Sequence, residues 1–499
     1  MKTRRLPFII VGVFLLYAVA EAVGPRQDAG GFDLAAFGRL PVAINGRVQP
    51  MDSVARVGLL QIRGSVTVPL DNAGLITRIV STVRASTASL GATEWLLELM
   101  TKPDAADARR VFPIRESTLR TTLGLSANGR AAASYYTFKD LEPKLPEIAN
   151  QTTRIGKIAP ANRAAWEREL LKLRGGLIIY ERLKNGLQPN SLVQQAAKGK
   201  PIAYDFGGML MGYITDLRGG VEAAVAREHG KDSTLDKATE DRMRTFARPF
   251  ASVVRAALLT PIPPDSPAQG RDHWRNLGAV LIDSARNGQL PLSVGYYAAM
   301  SSAFAQNKPA VFDAEVAKYQ QWLAAKGFSP EVSRAGFEFF NSHFQPFVRA
   351  AAVYLVAIAL LCLSRFRRSA MLYRSAALLV VLGLLLHASG VLFDMMLEGR
   401  LPTANTYSVI IVAGLGLALL GGIRERLMPN GVGLMAAALV GLAALVAAHS
   451  VAPGGAVGLL GNAVDFSFIV TVVAAGLVLR IASDTTVATG RPRVAVAAA

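Results

Sequence analysis

Apolar runs long enough to cross a bilayer lie at residues 6–23 and, after a long polar interval, at 347–363, 375–393, 407–423, 432–448 and 466–481. The pattern predicts one N-terminal membrane helix and a cluster of five. In the interval between them the period changes. Trp166, Leu170, Leu173, Leu177 and Tyr180 recur every three or four positions, which predicts an amphipathic helix over 161–186. Weaker patterns of the same kind run through 221–257, 274–287, 311–325 and 331–344, with Pro261, Pro263 and Pro264 breaking the chain between two of them. Asn45-Gly46 beside apolar residues predicts a hairpin, and Asp52 or Ser53 is placed to cap a helix from Val54 onward. The aromatics from Phe337 to Phe347 suit either an interfacial belt or the core face of a last soluble helix. No fixed-period repeat is present.

The fold class expected is therefore mainly α: a polytopic helical membrane protein with about six spans and a helical exported domain. Its divisions are an N-terminal anchor at 1–23, an exported domain at 24–345, a five-helix membrane domain at 346–481 and a disordered cytoplasmic tail at 482–499. Charge sets the expected orientation. Lys2, Arg4 and Arg5, then Arg365, Arg367, Arg368 and Arg374, then Arg424 and Arg426, then Arg480, Arg491 and Arg493 all fall on one side if six spans alternate. That side is the cytoplasm, so both termini lie inside and the large interval lies outside. Ala18-Val19-Ala20 also suits a signal-peptidase site, in which case the first span is a removable leader. Either version exports the domain.

With 499 residues and 51% apolar content, the chain fits a membrane protein with a large soluble part. The formal charge of +18 invites a nucleic-acid reading, but an exported domain meets no nucleic acid and part of the excess is the orientation signal itself. Attraction to anionic membrane lipid or to an acidic partner is the better use of the charge. The single cysteine, Cys362, rules out an intramolecular disulfide framework and reads as apolar filler. The chain lacks a phosphate-binding Walker loop, a His-Glu-x-x-His zinc helix and a Gly-x-Ser-x-Gly elbow, so hydrolase readings have no anchor. Acidic pairs such as Asp104 with Asp107, or Glu240 with Asp241, read as solvated helix faces. A solute transporter is disfavoured by the absence of paired broken helices and of acidic residues within the spans.

Five histidines remain as candidates for chemistry. His229 and His273 sit in polar stretches and read as surface residues. His387 lies inside a span, where an ionisable side chain is costly enough to suggest function, and His343 and His449 lie at outer membrane edges. Two neutral imidazoles facing each other can hold a haem iron axially. The plainer alternative is that His387 hydrogen-bonds a neighbouring helix while the edge histidines face water.

Several patches together resemble the CcsA/ResC-type cytochrome c assembly family, in a variant with a large exported domain. The first begins at Gly38-Arg39, and its most specific part runs from Leu40 through Asn45, Gly46, Arg47, Pro50 and Asp52 to Arg56; the others are Glu94-Trp95-Leu96-Leu97, Val111-Phe112-Pro113-Ile114, Phe339-Phe340-Asn341 with Gln345-Pro346-Phe347, and Gly399-Arg400-Leu401-Pro402 with Asn405 and Tyr407. The resemblance implies cytochrome c biogenesis: haem presented at the outer face of a bacterial inner membrane for attachment to apocytochrome c, with other assembly subunits as partners. His387 and His449 are the candidate haem and metal contacts. The family's tryptophan-rich outer loop is missing, since Trp95, Trp166, Trp274 and Trp322 all precede the span cluster. A truncated member acting as an accessory or structural subunit, binding partners through the exported domain, is the alternative expectation.

Overall fold

At Asn45 and Gly46 the backbone has positive φ at both residues (51° and 76°), and this turn joins strand β1 (Pro41–Ile44) to β2 (Arg47–Pro50) as the Asn-Gly pair predicts. The computed structural model describes residues 31–70, 89–125, 135–187, 250–287, 290–399 and 406–451, with residue 12 and scattered helical positions between 208 and 245. They form two compact units, divided between Phe339 and Phe340. His229, the loop at 401–405, the expected spans at 6–23 (apart from Gly12) and 466–481, and the tail at 482–499 lie outside the described residues.

In the first unit, helix α1 (Leu34–Gly38) precedes the hairpin and α2 (Met51–Arg63) follows it directly. The start of α2 corrects the expected cap. Pro50 ends β2 in extended conformation and caps without a side-chain bond, so Asp52 lies inside the first turn. A carboxylate is favoured there by the helix dipole. Asp52 is held by Arg56 at 3.0 Å and accepts from the Thr93 hydroxyl at 2.7 Å.

Short elements follow: β3 (Thr67–Pro69), its partner β4 (Ser89–Gly91), α3 (Ala92–Thr101), α4 (Pro103–Asp107), β5 (Phe112–Pro113), α5 (Ser117–Thr122) and β6 (Tyr135–Tyr136), which pairs with β5. Then come α6 (Phe138–Leu141), α7 (Leu145–Ile155) and α8 (Ala165–Lys184). The stripe read from sequence is the buried face of α8: Leu170, Leu173, Leu177 and Tyr180 are each 5% exposed or less. Helices α9 (Phe250–Ala256), α10 (Leu277–Asn287), α11 (Leu292–Ala305), α12 (Pro309–Ala325) and α13 (Ser329–Phe344) complete the series, and the division falls within α13.

Asp107 is not on a solvated face. It is 7% exposed and accepts from Lys184 Nζ at 2.6 Å and, at 2.9 Å, from the hydroxyl of Tyr180, whose ring packs against Phe112 and Phe138. Burial, with the Asp107 carboxylate beside it, holds the Tyr180 hydroxyl well above the usual phenol range. Removing one member of a buried ion pair strands the other, at about 3–5 kcal/mol. Asp107→Asn should therefore lower the unfolding free energy of the full chain in detergent by about that amount, read from a denaturant titration. Pairing it with Lys184→Met should recover much of the loss.

The second unit is a helical bundle. Helices α14 (Pro346–Arg367), α15 (Ala370–Glu398), α16 (Thr406–Leu427) and α17 (Val432–Val451) contain or match the second to fifth expected spans, and each is long and apolar enough to cross a membrane. Apolar side chains such as Leu385, Leu392, Leu417 and Leu420 remain more than half exposed, as lipid-facing positions are. Cys362 is free and exposed on α14.

Between lipid-immersed helices, close packing replaces the hydrophobic effect as the cohesive force, and small residues permit it. Phe347 and Tyr354, about two turns apart on α14, lie over Gly390 and Gly383 of α15. A Cβ at either glycine would stand 2.4 Å or 2.7 Å from ring carbon. Gly441 of α17 meets the other edge of Tyr354, where a Cβ would come within 2.6 Å. Gly441→Ala should thus cost about 1–3 kcal/mol through overpacking. Gly416→Ala, with nothing within 4 Å, should be neutral or slightly stabilising. Detergent unfolding midpoints of the two variants check the difference.

Candidate functional site

The ring register on α14 and α15 decides where His387 lies. It sits between Gly383 and Gly390 on α15, and its imidazole meets Phe347 and Tyr354 edge-on, with centroids 6.0 Å and 6.2 Å apart. His387 is fully buried, and its Nε2 stands 3.2 Å from the Ile411 carbonyl of α16. A carbonyl oxygen only accepts, so Nε2 carries the proton and Nδ1 is the bare nitrogen. Nδ1 is buried without a hydrogen-bond partner. Of the alternatives left open by the sequence, a bond to a neighbouring helix describes this geometry.

A cavity of about 610 Å³ opens near the ends of α14, α15, α16 and α17 remote from Arg365, Arg368 and Arg424. Phe347, Ala351, Leu355, Leu442, Leu445 and Val446 give it apolar walls, while Asn341, Gln345, Asp394, Tyr407 and His449 supply polar groups. A concave apolar site with a few convergent polar groups is the usual form of a small-molecule site. His449 lines this cavity and His387 does not. The two histidines expected to share a cofactor are therefore not brought onto one wall.

Gln345 shapes the polar side. Pro346 begins α14 and disfavours helical backbone at the residue before it, and Gln345 takes left-handed backbone at φ 46°. The chain breaks there between α13 and α14, and Gln345 borders the cavity. Nearby, Phe340 and Phe344 stack at 5.5 Å and both meet Phe393 edge-on at 6.1 Å. These two rings pack within the second unit, whereas Phe339, 4% exposed, belongs to the first.

Among the described residues, no group of three or more His, Cys, Asp or Glu side chains is placed to hold a bare metal ion. One imidazole at an apolar cavity does suit a haem iron, which needs only axial ligands from the protein. His273 is exposed, as expected. The cavity as a whole was not legible beforehand, although Asn341, Gln345, Pro346, Phe347 and Tyr407, all quoted for the family resemblance, line it together. The signal was there as separate patches with nothing to show that they converge.

In the first unit the resembling patches also meet. Arg47 pairs with Glu338 at 3.0 Å, the Arg39 guanidinium lies 4.8 Å from the Phe339 ring centre, and a Cβ on Gly38 would come within 3.2 Å of both Phe339 and Asp52. This is a structural knot of buried carboxylates and their cations.

No protein-family model matches this chain, and no curated protein matches it.

The packing of His387 predicts a structural role that substitutions can separate from ligand binding. His387→Phe fills the same space with a slightly larger ring and gives up one interhelical bond, at about 0.6–2 kcal/mol. His387→Ala leaves a void in the bundle, at about 2–5 kcal/mol. Detergent unfolding midpoints should rank wild type, then Phe, then Ala.

Proposed function

We propose that this chain is a cytochrome c biogenesis protein of a bacterial inner membrane, handling haem in the cavity lined by His449. The observation that carries the reading is convergence: residues from the separate patches at 339–347 and 399–407 that resemble the family line one cavity with apolar walls and an imidazole. In this reading His449 would hold the haem iron, Phe347, Leu442, Leu445 and Val446 would pack against the macrocycle, and Asn341 and Gln345 would offer amide groups to its carboxylates. His387 supports that cavity from behind by fixing Phe347 against α15. Haem supplies the vinyl groups to which the client's thiols add, and the chain's part is to hold and orient it. Apocytochrome c and other assembly subunits are the partners this implies, on the periplasmic side.

A second reading is favoured by the His387 bond going to Ile411 instead of to a ligand in the cavity. The chain is then an accessory membrane subunit whose exported domain binds partner proteins. An absorption spectrum of the detergent-purified full chain, with haem supplied, separates the two. The haem reading expects a bound-haem band that is lost in His449→Ala and kept in His387→Phe. A flat spectrum for well-folded wild type leaves the accessory reading in place.

A further inference from the structure

We propose that a second cleft, at the arginine-bearing end of the bundle, seats the phosphate of an anionic membrane phospholipid. It has a volume of about 640 Å³ and is lined by Leu361, Arg365, Arg368, Tyr373, Val432 and Leu439 among others. Val432 and Leu439 are 47% and 49% exposed, so they offer an uncovered apolar wall to an acyl chain below the guanidinium groups. Basic groups over an apolar slot at the end of membrane helices are the complement of an anionic headgroup.

Among the described residues, no carboxylate neutralises the charges at this cleft. Arg365 gives one N–H to the Asn430 carbonyl at 2.9 Å, and a guanidinium has more donors to offer. The Arg368 backbone N–H caps α14 on the Ser364 carbonyl, but its guanidinium makes no hydrogen bond or ion pair among the described residues. The nearby carboxylate, Glu425, is 6% exposed and already engaged: it accepts from the Tyr373 hydroxyl at 2.5 Å and from the amides of Gly431, Gly433 and Leu434 at 2.7, 2.9 and 3.3 Å. It fixes the turn into α17 and, among the described residues, forms no ion pair with Arg365 or Arg368.

Arg368 adds an independent observation. It ends α14 in left-handed backbone at φ 47°, with Ser369 N–H returning to the Ser364 carbonyl. Glycine is the usual residue for this kind of helix end, because a side chain is strained there. A non-glycine residue kept in such a conformation points to a use for its side chain. At Arg368 that side chain borders the cleft.

The test is lipid retention by the delipidated full chain, read by native mass spectrometry, with dioleoyl phosphatidylglycerol against dioleoyl phosphatidylcholine. Wild type should retain the anionic lipid preferentially, and Arg365→Gln and Arg368→Asn should each weaken it about fivefold. Asparagine tolerates left-handed backbone, so Arg368→Asn should fold. Arg368→Lys should keep most of the preference, and Arg374→Gln, a charge outside the cleft lining, should change it less. Equal retention of the two lipids overturns the proposal, as does an Arg374→Gln loss equal to that of the cleft variants. Competition by millimolar inorganic phosphate would assign the cleft to a soluble phosphate instead and overturn the lipid reading.

Discussion

The bundle depends on two aromatic rings of α14 lying directly on glycine backbone of α15. Phe347 over Gly390 and Tyr354 over Gly383 fix an antiparallel register between the two helices, and any side chain at either glycine would collide with ring carbon. Gly441 extends the seat to α17, so one tyrosine ring determines how three helices approach. The α16–α17 pair uses the same device with smaller groups. A Cβ at Gly414 would meet Ala444 at 2.2 Å, and one at Gly421 would meet the Ala437 backbone at 2.8 Å. In lipid, where apolar surface gains little by leaving its surroundings, these contacts are the main source of cohesion.

That register also explains His387. An imidazole set against two seated rings is held in place, and its remaining freedom is which nitrogen bonds the neighbouring helix. Nε2 takes the Ile411 carbonyl, leaving Nδ1 as the acceptor without a partner. A neutral imidazole tolerates this where a charged group would not, because an unmet acceptor costs far less than a buried charge. The histidine thus ties α15 to α16 near the level at which Phe347 enters the cavity wall.

The parts of this architecture visible in the sequence are those carried by local patterns. Spans at 347–363 through 432–448, the stripe on α8 and the Asn45-Gly46 turn each follow from residues close together in the chain. Asp107 looked solvated because its cation, Lys184, is far away in sequence, and nothing local distinguishes a paired carboxylate from a hydrated one. β3 to β6 are too short to show a period. Helix α11 buries Val294, Tyr297, Ala298, Met300, Ser301 and Phe304 on several sides, so it has no stripe to read. The cavity failed for the same reason as Asp107: Asn341, Tyr407 and His449 belong to separate segments. His387 stood out in the sequence because a titratable group in an apolar run is conspicuous, yet its seat is a property of two helices together.

Helix α14 is bounded at both ends by residues in left-handed backbone that are not glycine, Gln345 before it and Arg368 after it. Other helix ends of the chain have glycine in this conformation, as Gly64 after α2 and Gly399 after α15. Pro346 explains why Gln345 leaves the helical region, but not why a side chain is retained there. The common feature is position. Gln345 borders the cavity at one end of the bundle and Arg368 borders the cleft at the other. Stopping a helix needs only backbone, so the backbone strain accepted at these two positions places a polar side chain at each pocket that glycine would leave without one.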